Sequence, residues 1–227
     1  MEFHDEVKKR LETHHGGASF AETMAKGFAG RFNDEFWALW QREVVAHHGN
    51  APTYLDLGCG PGMLLREWKQ RTPAARVIGV DMQPYMLEAA RQVATEVGGE
   101  IVDCDLHALQ LPLADNSVDG IVLSMVVHEM HEPVGLLREA HRVLRGRMVI
   151  SDWVRSPLQT YLQRWPAEES LSLGAGSAKR AHHFDHFMEH CKFTADDLTW
   201  LVQELGFVIE SSAARQNGQF ITLVVKK

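Results

Sequence analysis

The apolar positions change rhythm along this chain, and the changes divide it. From residue 19 to 48, Phe28, Phe32, Phe36, Trp37 and Trp40 recur at spacings of three and four, which predicts helix. N-A-P at Asn50 to Pro52 breaks that pattern. Short apolar runs then alternate with helical stripes. Thr53 to Leu57 reads as a buried strand, residues 62 to 71 as a helix stopped before Pro73, and Val77 to Val80 as a second strand. Residues 84 to 97 carry Met86, Leu87, Ala90, Val93, Ala94 and Val97 on one stripe, ended by Gly98-Gly99. Ile101 to Cys104 is a third strand. Val118 to Ser124 is a fourth, entered through the turn at Asp115 to Ser117. Pro133 opens a helix striped by Leu136, Leu137, Ala140, Val143 and Leu144, and Met148 to Ser151 is a fifth strand. Residues 153 to 192 lose the rhythm and are rich in Trp, His and Gly. Thr194 and Asp197 then have the spacing of a capping box, ahead of Leu198, Leu201, Val202 and Leu205 on one helical face ended by Gly206. Strands near 207 to 213 and 219 to 225 follow with no helix between them.

Strands alternating with helices of this length predict an α/β fold: a doubly wound, mostly parallel seven-stranded sheet with helices on both faces. The last two strands suit an antiparallel edge pair. We expect a single domain over 1–227. Residues 1–50 form a helical cap, 51–152 a ligand-binding half, 153–192 a lid, and 193–227 the closing helix and strand pair.

Composition narrows the function. A chain of 227 residues with 45% hydrophobic content builds one domain with a substantial core. Net charge is −7 and no long Lys/Arg block occurs, which disfavours nucleic acid and anionic membrane as partners. No run approaches the roughly 18 apolar residues of a membrane span. The first ten residues are charged and lack the apolar centre of a secretory signal. Three cysteines form no pairing framework, which fits a reducing cytoplasm.

The candidate chemistry lies at strand ends. In Y-L-D-L-G-C-G-P-G-M-L-L, Gly58, Gly60 and Gly62 follow the first strand directly. Glycine permits a sharp turn and lets a ligand approach the backbone, and the next helix presents its positive end there. The dinucleotide fingerprint G-x-G-x-x-G would need glycine where Met63 stands. Asp56, just before the loop, suits a ligand carrying an ammonium group. Asp81 ends the second strand, where an acid accepts ribose hydroxyls. Asp105 follows the third strand and suits an adenine amine; Asp103, two residues earlier, takes its place if the register differs. Ammonium, ribose and adenine together describe S-adenosylmethionine. Cys59 reads as a small filler in the loop.

With these residues in view, D-L-G-C-G-P-G, V-D-M-Q-P-Y-M-L-E-A-A-R, L-P-L-A-D-N-S-V-D and R-E-A-H-R-V-L-R resemble the ordered motifs of class I S-adenosylmethionine-dependent methyltransferases, in the flavour of the ubiquinone and menaquinone methyltransferases. The resemblance is strong over about 50 to 152. It implies methyl transfer from S-adenosylmethionine to a small-molecule acceptor, with S-adenosylhomocysteine as product. It also implies cofactor contacts from Asp56, Gly58, Gly60, Gly62, Asp81, Met82, Asp105, Leu106 and Ser124. The family usually has a Pro-Gly-Gly turn before the fifth strand; here V-L-R-G-R keeps only Gly146, a shorter turn that should leave the cofactor site unaffected.

The acceptor side is less defined. S-M-V-V-H-E-M-H-E-P follows the fourth strand, and in this fold its loop faces the methyl group. His128 and Glu129 there are candidates for a general base or for positioning an acceptor, or His128 simply packs beneath the cofactor. H-E-M-H is one residue short of the zinc-protease pattern. In H-H-F-D-H-F-M-E-H-C, a helix would put His182, His186 and His190 on one face, open to three readings: a half-exposed lid, a pocket lining or a zinc site. No metal is expected. Trp37, Trp40, Trp153 and Trp165, with Phe28, Phe32, Phe36, Phe184 and Phe187, either wall an apolar, planar acceptor or form core beneath a lid. A cofactor-binding protein without transfer activity, and a nicotinamide oxidoreductase, are the other classes this reading leaves open. The oligomeric state is not readable.

Overall fold

The computed structural model describes residues 18–107, 110–130, 132–162 and 177–227, with side chains from residue 19 and, in the last stretch, from 183. Trp165, the charged N-terminus and the side chain of His182 lie outside the described residues.

Three helices open the described chain: α1 (Ala18–Lys26), α2 (Phe28–Arg31) and α3 (Asp34–Glu43). The helix expected to run unbroken from 19 to 48 is therefore divided. One cause is local: Asn33 is extended, and its side chain accepts from the Phe36 amide at 3.1 Å, capping a new helix. The alternation then unfolds as β1 (Thr53–Leu57), α4 (Met63–Arg71), β2 (Arg76–Asp81), α5 (Pro84–Val97), β3 (Glu100–Asp103), β4 (Val118–Ser124), α6 (Pro133–Val143) and β5 (Leu144–Trp153). After α7 (Leu158–Leu162) and α8 (Ser177–His190) come α9 (Ala195–Glu204), β6 (Val208–Arg215) and β7 (Phe220–Lys226). The capping box at Thr194 and Asp197 is formed in both directions.

The seven strands pair in the order β3-β2-β1-β4-β5-β7-β6. Strands β3 to β5 are parallel; β7 runs antiparallel between β5 and β6. The last two strands do pair, and β7 is internal while β6 takes the edge. The central strands are buried on both faces, which explains their uninterrupted apolar runs. One apolar layer holds α6 and α9 against the sheet. The other packs Trp40, Trp68 and Tyr54 with α4 and α5, so Trp37 and Trp40 are core and not pocket wall.

Leu144 begins β5, so that strand starts four residues earlier than Met148 and no turn separates it from α6. Gly146 makes this possible. A Cβ there would lie 2.1 Å from the carbonyl oxygen of Asp119 on β4. Order reverses between β1 and β4, both of which point their carboxyl ends at one crevice. That is where ligands bind in doubly wound sheets.

Candidate active site

The glycine loop is shaped from both sides. Gly58, Gly60 and Gly62 have φ of 77°, 52° and 77°. The amides of Gly58 and Cys59 both donate to the Val80 carbonyl, at 2.8 and 2.9 Å. The Asp81 carboxylate completes the brace: Oδ2 accepts from Gly60 N at 2.8 Å, and Oδ1 accepts from Met82 N at 2.8 Å and Gln83 N at 2.9 Å. Cys59 is buried and its sulfur packs over Gly79; burial pushes its thiol up, so it fills space and supplies no nucleophile.

Two cavities lie along this loop. One, of about 120 Å³, is lined by Gly58, Gly60, Asp81, Met82, Gln83, Leu106, Ser124 and Glu129, with Phe20 and Met24 of α1 above. A narrow extension of about 30 Å³ runs past Asp56, Gly58, Gly60 and Ser124 to Arg31 and Phe28. Asp56 is buried, and desolvation, then repulsion from Asp81, raises its carboxyl to about 7, with Arg31 acting against them. An incoming ammonium group would relieve this arrangement. Both amide atoms of Gln83 are buried without a hydrogen-bond partner among the described residues, although the residue faces the first cavity. A buried amide in this state fits a site built for a polar ligand such as a ribose.

Asp105 does not line either cavity. Its Oδ1 accepts from His107 N at 2.9 Å and lies 3.0 Å from His107 Nδ1, and His107 occupies the wall in its place. Asp103 is exposed and 3.4 Å from Arg91. Sequence reasoning missed Arg31, Gln83 and the α1 residues. Of these, only Gln83 carried a local signal, as the second residue beyond a strand-end acid.

A third and larger cavity, about 390 Å³, opens on the other side of Ser124 and Met125. Phe32, Phe36, Trp153 and Phe220 give it aromatic walls, and Arg31 and Arg215 are its charged lining residues. Phe28 lines the narrow extension, whereas Phe184 is exposed and Phe187 packs on Tyr161 and Cys191.

The loop after β4 is held by a residue the sequence did not single out. Met125 sits at φ 60°, and the chain then folds into a turn over Val127–Glu129. Asp152, fully buried on β5, gathers that turn: its Oδ2 accepts from the amides of Val126, Val127 and His128 at 3.1, 2.7 and 3.3 Å. Its Oδ1 lies 2.6 Å from His128 Nδ1. Burial pulls the His128 imidazole down, but Asp152 and Glu129 outweigh it and lift it to about 9. His128 is buried and does not line the cavities; its neighbour Glu129 lines the first of them. Of the α8 histidines with described side chains, His186 and His190 lie together, their ring centroids 4.2 Å apart. His186 is hydrogen-bonded to the Tyr161 hydroxyl, and His190 turns to Glu129, 3.4 Å away.

Comparison with known proteins agrees with this geometry. A family model described as a methyltransferase domain matches residues 55–150. The chain is 30% identical over 190 residues to a demethylmenaquinone methyltransferase of Symbiobacterium thermophilum, covering 76% of this chain and 75% of that protein. It is 30% identical to an arsenite methyltransferase of Halobacterium salinarum over 74% of this chain and 44% of that one. A methyltransferase structure from Aquifex aeolicus shares the fold with a TM-score of 0.64 and 17% identity, covering 92% of this chain and 97% of that one. The chain belongs to the class I S-adenosylmethionine-dependent methyltransferases. It is accordingly an enzyme whose cofactor is S-adenosylmethionine, built on the Rossmann-like sheet of that family. Among the described residues no helix is long and apolar enough to cross a membrane.

Proposed function

We propose that this methyltransferase acts on a small, largely apolar molecule carrying an anionic group, seated in the 390 Å³ cavity. The observation that carries this reading is the shared wall. Ser124 and Met125 line both the cofactor cavity and the larger one, so donor and acceptor would meet across the end of β4. S-adenosylmethionine supplies a methyl group made electrophilic by its sulfonium. What the chain contributes is alignment and exclusion of water.

The roles divide by position. Asp56 would take the amino group and Arg31 the carboxylate of the methionine portion. Asp81 and Gln83 would face the ribose, and Met82 and Leu106 would hold the adenine ring between apolar surfaces. Gly58, Gly60 and Gly62 would let the ligand lie against bare backbone. In the larger cavity the four aromatic rings suit a planar or apolar body, and Arg215 suits a carboxylate or phosphate. Of His128 and Glu129, Glu129 stands where it can touch a bound ligand, and His128 and Asp152 fix its surroundings.

The test is release of S-adenosylhomocysteine with a matched acceptor panel. Aromatic or otherwise apolar carboxylates should be turned over faster than their amides or methyl esters. No turnover with any anionic acceptor, alongside turnover of cationic ones, would overturn the assignment.

A further inference from the structure

The loop after β4 and helix α8 bring together three side chains of metal-ligating type. One ring nitrogen each of His128 and His190 and a carboxylate oxygen of Glu129 all lie within 4.8 Å of one another. We propose that these three residues bind a divalent transition metal ion of the zinc type.

Two imidazoles and one carboxylate are a donor set that zinc and its neighbours favour over magnesium or calcium. The spacing agrees. Glu129 Oε1 is 3.2 Å from His128 Nε2 and 3.4 Å from His190 Nδ1. Ligands about 2.0–2.1 Å from a tetrahedral ion stand roughly 3.3 Å apart.

The surroundings are those of a supported site. Asp152 holds His128 Nδ1 at 2.6 Å and is itself fixed by three backbone amides. A carboxylate on the far nitrogen orients a ligating imidazole and raises its basicity. Here it directs Nε2 toward Glu129. Both histidines are buried, at 4% exposure each, and two carboxylates, Asp152 and Glu129, stand in the same small volume. A dication displacing the proton on His128 Nε2 would balance both carboxylates. Trp153 packs against both rings, with centroids 5.2 Å from His128 and 5.7 Å from His190. With three protein ligands the set is that of an open site, and Glu129 places it beside the cofactor cavity. This is a different grouping from the one helical spacing suggested, because only His190 of α8 takes part.

Chelator-stripped protein titrated with Zn²⁺ alone should take up one tightly held ion per chain. Co²⁺ in its place should give the strong visible absorption of a tetrahedral site. His190→Gln should weaken Zn²⁺ binding by at least about 10-fold, and Asp152→Asn by roughly 10–100-fold. Thermal melting reports whether each variant folds; Glu129→Gln is read the same way if either does not. Absence of a stoichiometric ion would overturn the proposal. So would undiminished affinity in the folded variants, which would place the ion among other members of the 13 histidines.

Discussion

Asp81 Oδ2 accepts a hydrogen bond from the amide of Gly60, 2.8 Å away, joining the end of β2 to the loop that follows β1. The acid thus shapes the loop as well as facing the cavity. Asp81→Ala should weaken S-adenosylhomocysteine binding by about 1.5–3 kcal/mol, the usual loss for charge-assisted hydrogen bonds. It should also lower the melting temperature, because the buried Gly60 amide loses its acceptor. Asp81→Asn should melt closer to wild type while still binding more weakly. Calorimetry and thermal melting separate the two effects, and unchanged affinity in both variants would remove Asp81 from the site.

Asp56 predicts a pH dependence of defined sign. Its carboxyl stands near 7 in the folded protein against an ordinary 3.8. The folded state therefore binds more protons than the unfolded one between those values. Stability from this group is lost as pH rises from about 4 to about 7 and is flat above. The full gap corresponds to at most roughly 4 kcal/mol. Asp56→Asn should raise the unfolding free energy at about pH 8 and flatten its pH profile. Cofactor affinity should run the other way: the wild type gains as pH rises through about 7, and the variant binds weakly throughout.

Gly58 tests the bare backbone. A Cβ at this position would stand 2.3 Å from Val126 Cγ2, at a φ of 77°. Gly58→Ala should cost about 1–3 kcal/mol in stability and should push the turn carrying Glu129 outward. Measured by denaturant unfolding and calorimetry, a variant as stable and as tightly binding as wild type would contradict the packing described.

Arg215 separates acceptor from donor. It lines the larger cavity and lies 3.3 Å from the exposed Glu35, a surface pairing worth little in itself. Arg215→Ala should raise KM for an anionic acceptor by about 10-fold or more, in line with loss of a charged hydrogen bond. S-adenosylhomocysteine affinity should stay as in wild type. Equal KM in variant and wild type would remove the anion from the proposed acceptor.

Much of the fold was legible because buried parallel strands read as short apolar runs and their helices as single stripes. Asp81 was legible for the same reason, standing where an apolar run stops. Strand order at the far edge was not: nothing in the periodicity of 207 to 225 distinguishes β7 beside β5 from β6 beside β5. The break before α3 carried a signal, Asn33 ahead of Asp34 and Glu35, hidden by the aromatic spacing around it. Asp105 accepts from its own chain, at His107, a contact that no pattern in the sequence signalled. His186 and His190 share a face, as their spacing of four predicts, with ring centroids 4.2 Å apart; their partners Tyr161 and Glu129 lie on other elements and carried no local signal. Asp152 and Arg31 act across long sequence separations, and only the folded sheet brings them to the site.

A crystal structure with S-adenosylhomocysteine soaked or grown in is the decisive measurement. The ribose should lie against Asp81 and Gln83, the adenine between Met82 and Leu106, and the amino group toward Asp56, with the sulfur pointing past Ser124 at the aromatic cavity. Density for the ligand elsewhere, or in this crevice with its sulfur turned away from Ser124, would contradict this placement.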